Sequence, residues 1–189
     1  MPTIFTHPAV PVAIAIGLGQ KIISRRLLVL GVIASMVPDL DVLAFRLGIP
    51  YAAEWGHRGF SHSMLFALVF AIAGLSLVKL LNSTPKTVFW FLLVTVTSHG
   101  ILDAFTNGGL GVAFLWPISQ ERFFFPFHPI EVSPLGLSRI FSAKGLSVVM
   151  SELVWVWLPC LGMAAFGVAY HRSRAIAIRS TGRAKTTGP

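Results

Sequence analysis

Two pairs of ionisable residues in this sequence have a spacing that suits metal binding. His99 and Asp103 lie four residues apart, so a helix would present an imidazole and a carboxylate on one face. Asp39 and Asp41 follow Pro38 and lie only two residues apart. On a regular helix their carboxylates would diverge, so an irregular turn after the proline would bring them together better. Each pair could instead be an ordinary hydrogen-bonded pair or a helix cap.

Further histidines enlarge this set of candidate ligands. His57 and His62 flank Gly59, which can bend the chain between them, and His7 lies near the N-terminus. Imidazoles and carboxylates without a thiolate cluster suit zinc above all, or manganese or iron. The predicted metal ligands are His7, Asp39, Asp41, His57, His62, His99 and Asp103. This set exceeds the needs of one tetrahedral zinc, which predicts a divalent metal centre of two ions about 3.5–4 Å apart.

Two of the predicted ligands and one neighbouring arginine also have a predicted catalytic role. A carboxylate that does not bind the metal, Asp41 or Asp103, could act as a base or orient a ligand histidine. Arg58 adjoins His57, and its planar guanidinium matches the oxygen atoms of a phosphate group. The alternative for Arg58 is a position at the membrane interface, in contact with lipid headgroups.

The elements that must position these residues are apolar. The chain has 189 residues, of which 54% are hydrophobic and 12% charged, and its mean hydropathy is +0.76. This composition excludes an ordinary soluble domain and a disordered chain. Five apolar stretches, at about 8–23, 27–45, 64–81, 88–105 and 146–170, predict an all-α polytopic membrane helix bundle of about four to five spans. The first stretch is short and contains Pro11, Gly17 and Gly19, so it could be re-entrant.

Basic residues are divided unequally between the two sides of this bundle. The side that contains residues 21–26 also receives the turn after the third stretch and the C-terminal tail, and it holds Lys21, Arg25, Arg26, Lys79, Lys86, Arg172, Arg174, Arg179, Arg183 and Lys185. The opposite side holds Arg46, Arg58, Arg122, Arg139 and Lys144. The positive-inside rule makes the first side cytoplasmic. The basic charge therefore indicates topology rather than nucleic-acid binding, and the localisation predicted is the bacterial inner membrane.

The acidic and histidine residues fall mainly on the opposite, outer face. That face holds five of the six histidines and six of the seven carboxylates. Ionisable residues at membrane depth are costly and mark functional sites. We therefore expect one transmembrane domain over residues 1–170, with its metal centre facing the periplasm or exterior. A basic, flexible cytoplasmic tail is expected over residues 171–189.

The long loop at about 110–145 is rich in aromatic residues. It contains Trp116, Phe123, Phe124, Phe125, Phe127 and Phe141. Such a segment is typical of an interfacial lid near the headgroups, and a packed cap over the helices is the alternative. His128 or Glu131 could reach the site from this loop.

The motifs in their order along the chain resemble a known family. They are Thr6-His7, Pro38-Asp39-Leu40-Asp41, His57-Arg58-Gly59-Phe60-Ser61-His62-Ser63, and His99-Gly100-Ile101-Leu102-Asp103 followed by Thr106-Asn107. This set resembles the YdjM-like family of membrane-bound metal-dependent hydrolases, described as LexA-regulated in some bacteria. The resemblance implies a multi-helix inner membrane protein with an Asp/His metal centre. Members are distantly similar to zinc-dependent phospholipases C.

These observations predict a membrane-embedded metal-dependent hydrolase. Its site at the outer surface suits an amphiphilic substrate, either a phospholipid or another lipid-linked phosphoester. A metal transporter or a metal-binding scaffold is one alternative, although transporters hold their ligands near the bilayer midplane. A metal-free lipid phosphatase with a histidine nucleophile is the other, suggested by Ser98-His99 with Asp103. The oligomeric state is open.

Overall fold

A computed structural model describes residues 1–133 and 142–185, with side chains up to residue 174, and this part of the chain is helical. Two isolated β-bridges, between Thr106 and Ile130 and between Val112 and Phe123, are its extended pairings. Six α-helices follow in chain order: α1 Ala9–Leu18, α2 Arg25–Ala34, α3 Met64–Gly74, α4 Pro85–Ala104, α5 Ala143–Glu152 and α6 Leu158–Lys185. Three 3-10 segments lie at Val37–Leu47, Phe60–His62 and Leu75–Leu77, and one π-helical segment lies at Leu153–Trp157.

Side-chain caps determine where most of these helices begin. The hydroxyl groups of Ser24, Ser63, Thr84 and Ser142 each accept a hydrogen bond from a backbone N–H in the first turn of α2, α3, α4 and α5. Such a cap satisfies one of the N–H groups that a helix start leaves without a partner. Pro85 opens α4, at the position where the missing N–H of proline costs nothing.

Within the described residues, three helical segments are long and apolar enough to cross a membrane. They are Arg25–Leu47, Pro85–Ala104 and Ala143–Arg174. The shorter apolar helices Ala9–Leu18 and Met64–Leu77 correspond to the first and third stretches. The predicted all-α membrane helix bundle is therefore confirmed, with one helical segment for each of the five apolar stretches.

The second apolar stretch changes its helical form after Ala34. The α-helix α2 ends there, and the chain continues from Val37 as a 3-10 helix with Pro38 in its first turn. Proline removes one N–H donor and clashes with the preceding turn of an α-helix. This confirms the irregular backbone that the sequence predicts around Asp39 and Asp41.

Close packing of small residues joins the helices in pairs. α1 packs against α6, and α3 packs against α4. Gly31 of α2 faces the ring of Phe91, where a Cβ atom would come within 2.4 Å of the ring edge. Large apolar side chains such as Phe166, 74% exposed, cover the outer surface. Apolar residues on both the inner and the outer faces are expected of helices in a bilayer.

The last helix extends into the region that the sequence predicts as a cytoplasmic tail. The helix α6 does not end near Tyr170 but continues to Lys185. The stretch from His171 contains alanine, isoleucine and arginine residues, which allow a helix to propagate. Residues 134–141, with Arg139 and Phe141, and the side chains of Arg179, Arg183 and Lys185 lie outside the described part of the structure.

We expect Gly167→Ala to destabilise the bundle. A Cβ atom at Gly167 would lie 2.7 Å from the Cα atom of Gly17, so α1 and α6 would have to move apart. Overpacking of this kind costs about 1–3 kcal/mol. The matched control is Gly162→Ala on the same helix, where a Cβ atom meets nothing within 4 Å. Thermal unfolding in detergent should show a lower Tm for the first variant alone, and equal shifts would contradict this packing.

Candidate metal centre

All seven predicted ligands meet at one end of the helix bundle. Asp39 and Asp41 lie on the 3-10 segment after α2, and His99 and Asp103 lie on the last turns of α4. The remaining three precede helices: His7 comes before α1, and His57 and His62 come before α3. The side chains of all seven are at least 96% buried. The structure therefore brings together every residue that the sequence predicts as a ligand.

Four of these side chains form a compact group that could hold a metal ion. Asp39, His62, His99 and Asp103 each offer one ligand atom, and these atoms lie within 4.8 Å of one another. The Nε2 atom of His62 is 3.0 Å from Nε2 of His99 and 3.2 Å from Oδ2 of Asp103. The Nε2 atom of His99 is 3.4 Å from Oδ1 of Asp39.

His7 borders this group on one side. Its ring stacks on that of His99, with 3.6 Å between the ring centroids. Its Nε2 atom is 3.7 Å from Oδ2 of Asp39 and 3.9 Å from Oδ1 of Asp103. His7 is therefore close enough to join the ligand set after a small movement.

The hydrogen bonding of the group suits a bound cation. Among the described residues, neither oxygen of Asp39 or Asp103 and neither ring nitrogen of His7 has a hydrogen-bond partner, although all are buried. Leaving buried polar atoms without partners costs free energy, and native structures rarely do so without a reason. Two carboxylates and several imidazoles match the ligands that zinc, manganese or iron prefer.

One backbone carbonyl orients the ring of His99 so that Nε2 could bind a metal ion. The Nδ1 atom of His99 lies 2.7 Å from the carbonyl oxygen of Ser35, so Nδ1 carries the proton and donates it. The lone pair is then on Nε2, which faces the four-residue group. A backbone or carboxylate acceptor on the second ring nitrogen is the usual support of a metal-binding histidine.

Asp41 differs from Asp39 and Asp103 because its oxygens are already in use. It accepts hydrogen bonds from the backbone N–H of Arg58 at 3.0 Å, from Ser61 Oγ at 2.7 Å and from His57 Nδ1 at 2.5 Å. Asp41, His57 and His62 form a second group that could hold a metal ion, but His62 belongs to both groups. Asp41 is thus better placed to orient histidines than to bind metal, and the two-ion centre stays a prediction.

Arg58 is buried within the site. Its Nε atom lies 3.0 Å from Oδ2 of Asp103 in an ion pair, without the alignment of a hydrogen bond. Its terminal nitrogens donate to the carbonyl of Gly108 and to Oγ1 of Thr106, both at 2.9 Å. The side chain has no exposed surface, so the alternative in which it contacts lipid headgroups does not fit. Its charge instead compensates that of Asp103.

Two histidines outside the helical spans have opposite electrostatic environments. Burial, together with the smaller effect of the neighbouring His99, lowers the pKa of His7 to about 3. Burial also acts to lower the pKa of His62, but the neighbouring carboxylates of Asp103 and Asp41, each 3.2 Å from a ring nitrogen, outweigh it and raise the pKa to about 9. His62 is therefore protonated at neutral pH in the metal-free protein, and metal binding there would release its proton.

The aromatic loop closes over the site. Arg122 donates to the backbone carbonyls of His57 and Ala53 at 2.8 and 2.9 Å. Phe125 stacks on Phe105, with 4.3 Å between centroids. Phe127 nevertheless remains 55% exposed. The described part of the loop thus packs as a cap, and its position near the headgroups stays a prediction.

Two loop residues that the sequence offers as possible additions to the site lie outside the two groups of ligands. Glu131 pairs with Lys144 at 2.5 Å and accepts a hydrogen bond from Ser147 at 2.6 Å. His128 is exposed and contacts the ring of Phe124. His128 lines a cavity beside the turn that follows α4, whereas Glu131 belongs to neither group of ligands. Glu131 instead fastens the loop to α5.

Glu152 is a site residue that the sequence alone did not assign. It is 3% exposed on α5, and its carboxylate accepts hydrogen bonds from the backbone N–H of Thr3 and from the hydroxyls of Thr3 and Thr6. These bonds anchor the segment that carries His7. A lone carboxylate within an apolar span is the signal that could have found it. Its two threonine partners lie 146 and 149 residues away along the chain, so no local pattern identifies them.

The comparisons with known proteins agree with this architecture. The sequence profile described as YdjM inner membrane protein matches residues 1–176. Inner membrane protein YbcI of Escherichia coli (strain K12) is 46% identical over 175 residues, which cover 92% of this chain and 100% of that protein. No solved structure matches the chain.

We expect Glu152→Ala to loosen the N-terminal segment that carries His7. The substitution leaves the buried donors of Thr3 and Thr6 without an acceptor, at about 1–3 kcal/mol for each. Hydrogen exchange of residues 3–7 and the Tm in detergent should both show the loss. The control is Glu131→Ala, which removes a more exposed carboxylate paired with Lys144 and should leave residues 3–7 unchanged. Unchanged exchange in Glu152→Ala would refute the anchoring role.

Proposed function

The chain belongs to the YdjM family of inner membrane proteins, and from this premise we propose that it is a membrane-embedded, metal-dependent hydrolase of lipid-linked phosphoesters. The observation that carries the proposal is the buried pair Asp39 and Asp103, whose four oxygens have no hydrogen-bond donor in the described structure. Two such carboxylates beside histidine Nε2 atoms favour a divalent cation, with zinc preferred.

The proposed ligands are Asp39, His62, His99 and Asp103, with His7 close enough to complete them. When bound, the metal would act as a Lewis acid on a phosphoryl oxygen and on a water molecule. Arg58 compensates the charge of Asp103 and keeps that carboxylate in place. The aromatic loop, fixed to the carbonyl of His57 through Arg122, limits the access of bulk water.

We assign proton transfer to His57, with Asp41 as its positioning residue. The Nδ1 atom of His57 is held by Asp41 at 2.5 Å, which leaves Nε2 as the nitrogen that can accept a proton. A carboxylate that fixes the tautomer and orientation of a histidine is a common arrangement in general base catalysis. This replaces the prediction of Asp41 or Asp103 as the base, because the oxygens of Asp41 are occupied and Asp103 faces the proposed metal.

Two arguments support a substrate whose reacting group lies at the membrane surface. The cluster lies where α4 ends and where α1 and α3 begin, rather than halfway along a span. The excess of Lys and Arg on the opposite side supports a periplasmic location for this end by the positive-inside rule. Phospholipid headgroups occupy the same level of the membrane.

A metal-binding scaffold is the second candidate function. The complete burial of His7, His99 and Asp103 would suit a structural ion as well as a catalytic one. A scaffold loses stability when the metal is removed, whereas a hydrolase loses turnover. A transporter would instead move metal into vesicles without releasing a product.

We expect the metal-loaded protein to release product from a short-chain phospholipid or a lipid phosphate, and Asp39→Asn to lose this activity. Removing a metal ligand or its support costs about 10–100-fold in activity or affinity. His171→Ala, which changes a histidine outside the cluster, is the control and should retain full turnover. Equal turnover in Asp39→Asn and the unmodified protein would eliminate the proposed metal site, and metal-dependent stability without turnover would favour the scaffold.

Reporter fusions test the sidedness of the site. A periplasmic reporter such as alkaline phosphatase should be active when fused after Asn107 and inactive when fused after Arg183. The reason is the distribution of basic residues between the two sides. The reverse pattern would place the site in the cytoplasm and exclude a periplasmic substrate.

A further inference from the structure

An open cavity lies beside residues that hold Arg58, next to the candidate metal centre. Its volume is about 180 Å³. The turn that follows α4 forms one wall and the aromatic loop forms the other, and the lining residues are Thr106, Asn107, Gly108, Gly109, Phe124 and His128. None of these six residues is acidic, and none belongs to the proposed metal ligands.

The cavity wall offers hydrogen-bond donors that the protein leaves free. The N–H groups of Gly108 and Gly109 have no acceptor among the residues that the structure describes. The Oδ1 atom of Asn107 accepts from the backbone N–H of Val132 at 2.9 Å, so the amide NH₂ of Asn107 remains as a donor. His128 adds an exposed imidazole. Consecutive backbone N–H groups in such a turn are typical of anion sites.

Arg58 connects this cavity to the candidate metal centre. Its NH1 and NH2 atoms hold the wall through Gly108 and Thr106, while its Nε atom faces Asp103. At Gly109, with φ +93°, a Cβ atom would lie 2.9 Å from NH1 of Arg58. Only glycine lets the backbone pass this close to the guanidinium, so the cavity wall packs directly against Arg58.

We propose that this cavity binds a phosphate group. Free N–H donors, an amide, an imidazole and a nearby guanidinium are the groups that recognise phosphate oxygens. As the place where a substrate or product phosphate is held, the cavity deepens the hydrolase proposed above and rests on it. The binding of phosphate itself does not depend on metal or on turnover.

Phosphate binding to the full-length, metal-free protein in detergent tests this assignment. Titration of inorganic phosphate, followed by calorimetry or ³¹P NMR, should give saturable binding. Asn107→Asp keeps an oxygen for the N–H of Val132 but replaces the amide donor with a negative charge, and it should weaken phosphate binding by about tenfold or more. Asn82→Asp makes the same change at an exposed turn away from the cavity and should have no effect.

His128→Gln is a second variant, at an exposed position where folding is not at risk, and it should weaken phosphate binding severalfold. Absence of saturable binding in the unmodified protein, or equal weakening in the Asn107 and Asn82 variants, would overturn the assignment. If a short-chain phosphatidate competes with inorganic phosphate, the phosphate group belongs to a lipid headgroup. If it does not compete, the ligand is a free phosphate ion. Phosphate binding without turnover would refute the hydrolase while leaving the phosphate site intact.

Discussion

Two buried carboxylates without hydrogen-bond donors, those of Asp39 and Asp103, impose the main constraint on this structure. Unpaired charges of the same sign are costly inside a helix bundle, and here they face each other across the ends of two helices. Arg58 compensates part of that charge from one side. In the proposed account a divalent cation, held with the help of the nearby histidine nitrogens, would compensate the rest.

Several otherwise unrelated features serve this single region. The carbonyl of Ser35, at the end of α2, fixes the ring of His99. Asp41 lies on the 3-10 segment rather than on an α-helix, and it accepts a hydrogen bond from His57. Glu152 binds the N-terminal segment from α5 and so fixes His7 against His99. Elements distant in sequence are thus joined through polar contacts at one end of a bundle whose remainder is held by apolar packing.

The sequence predicted the parts of this arrangement that depend on composition and short spacing. The apolar stretches predicted the helices, and the position of Pro38 predicted the irregular turn beside Asp39. The histidines and aspartates could be assigned to one face because each precedes or ends an apolar stretch. The different roles of Asp39, as a proposed metal ligand, and Asp41, as a hydrogen-bond acceptor, could not be predicted. They depend on which carboxylate contacts Ser61 and the N–H of Arg58. The partners of Glu152 and the burial of Arg58 likewise depend on long-range packing that no local pattern encodes.

Metal content of the detergent-purified protein tests the central claim most directly. The unmodified protein, loaded with zinc or manganese and then freed of excess metal, is compared by mass spectrometry with the double variant Asp39→Asn/His99→Ala. The account predicts stoichiometric metal in the unmodified protein and almost none in the double variant, with both proteins folded. The absence of metal after loading, or equal metal in the two proteins, would contradict it.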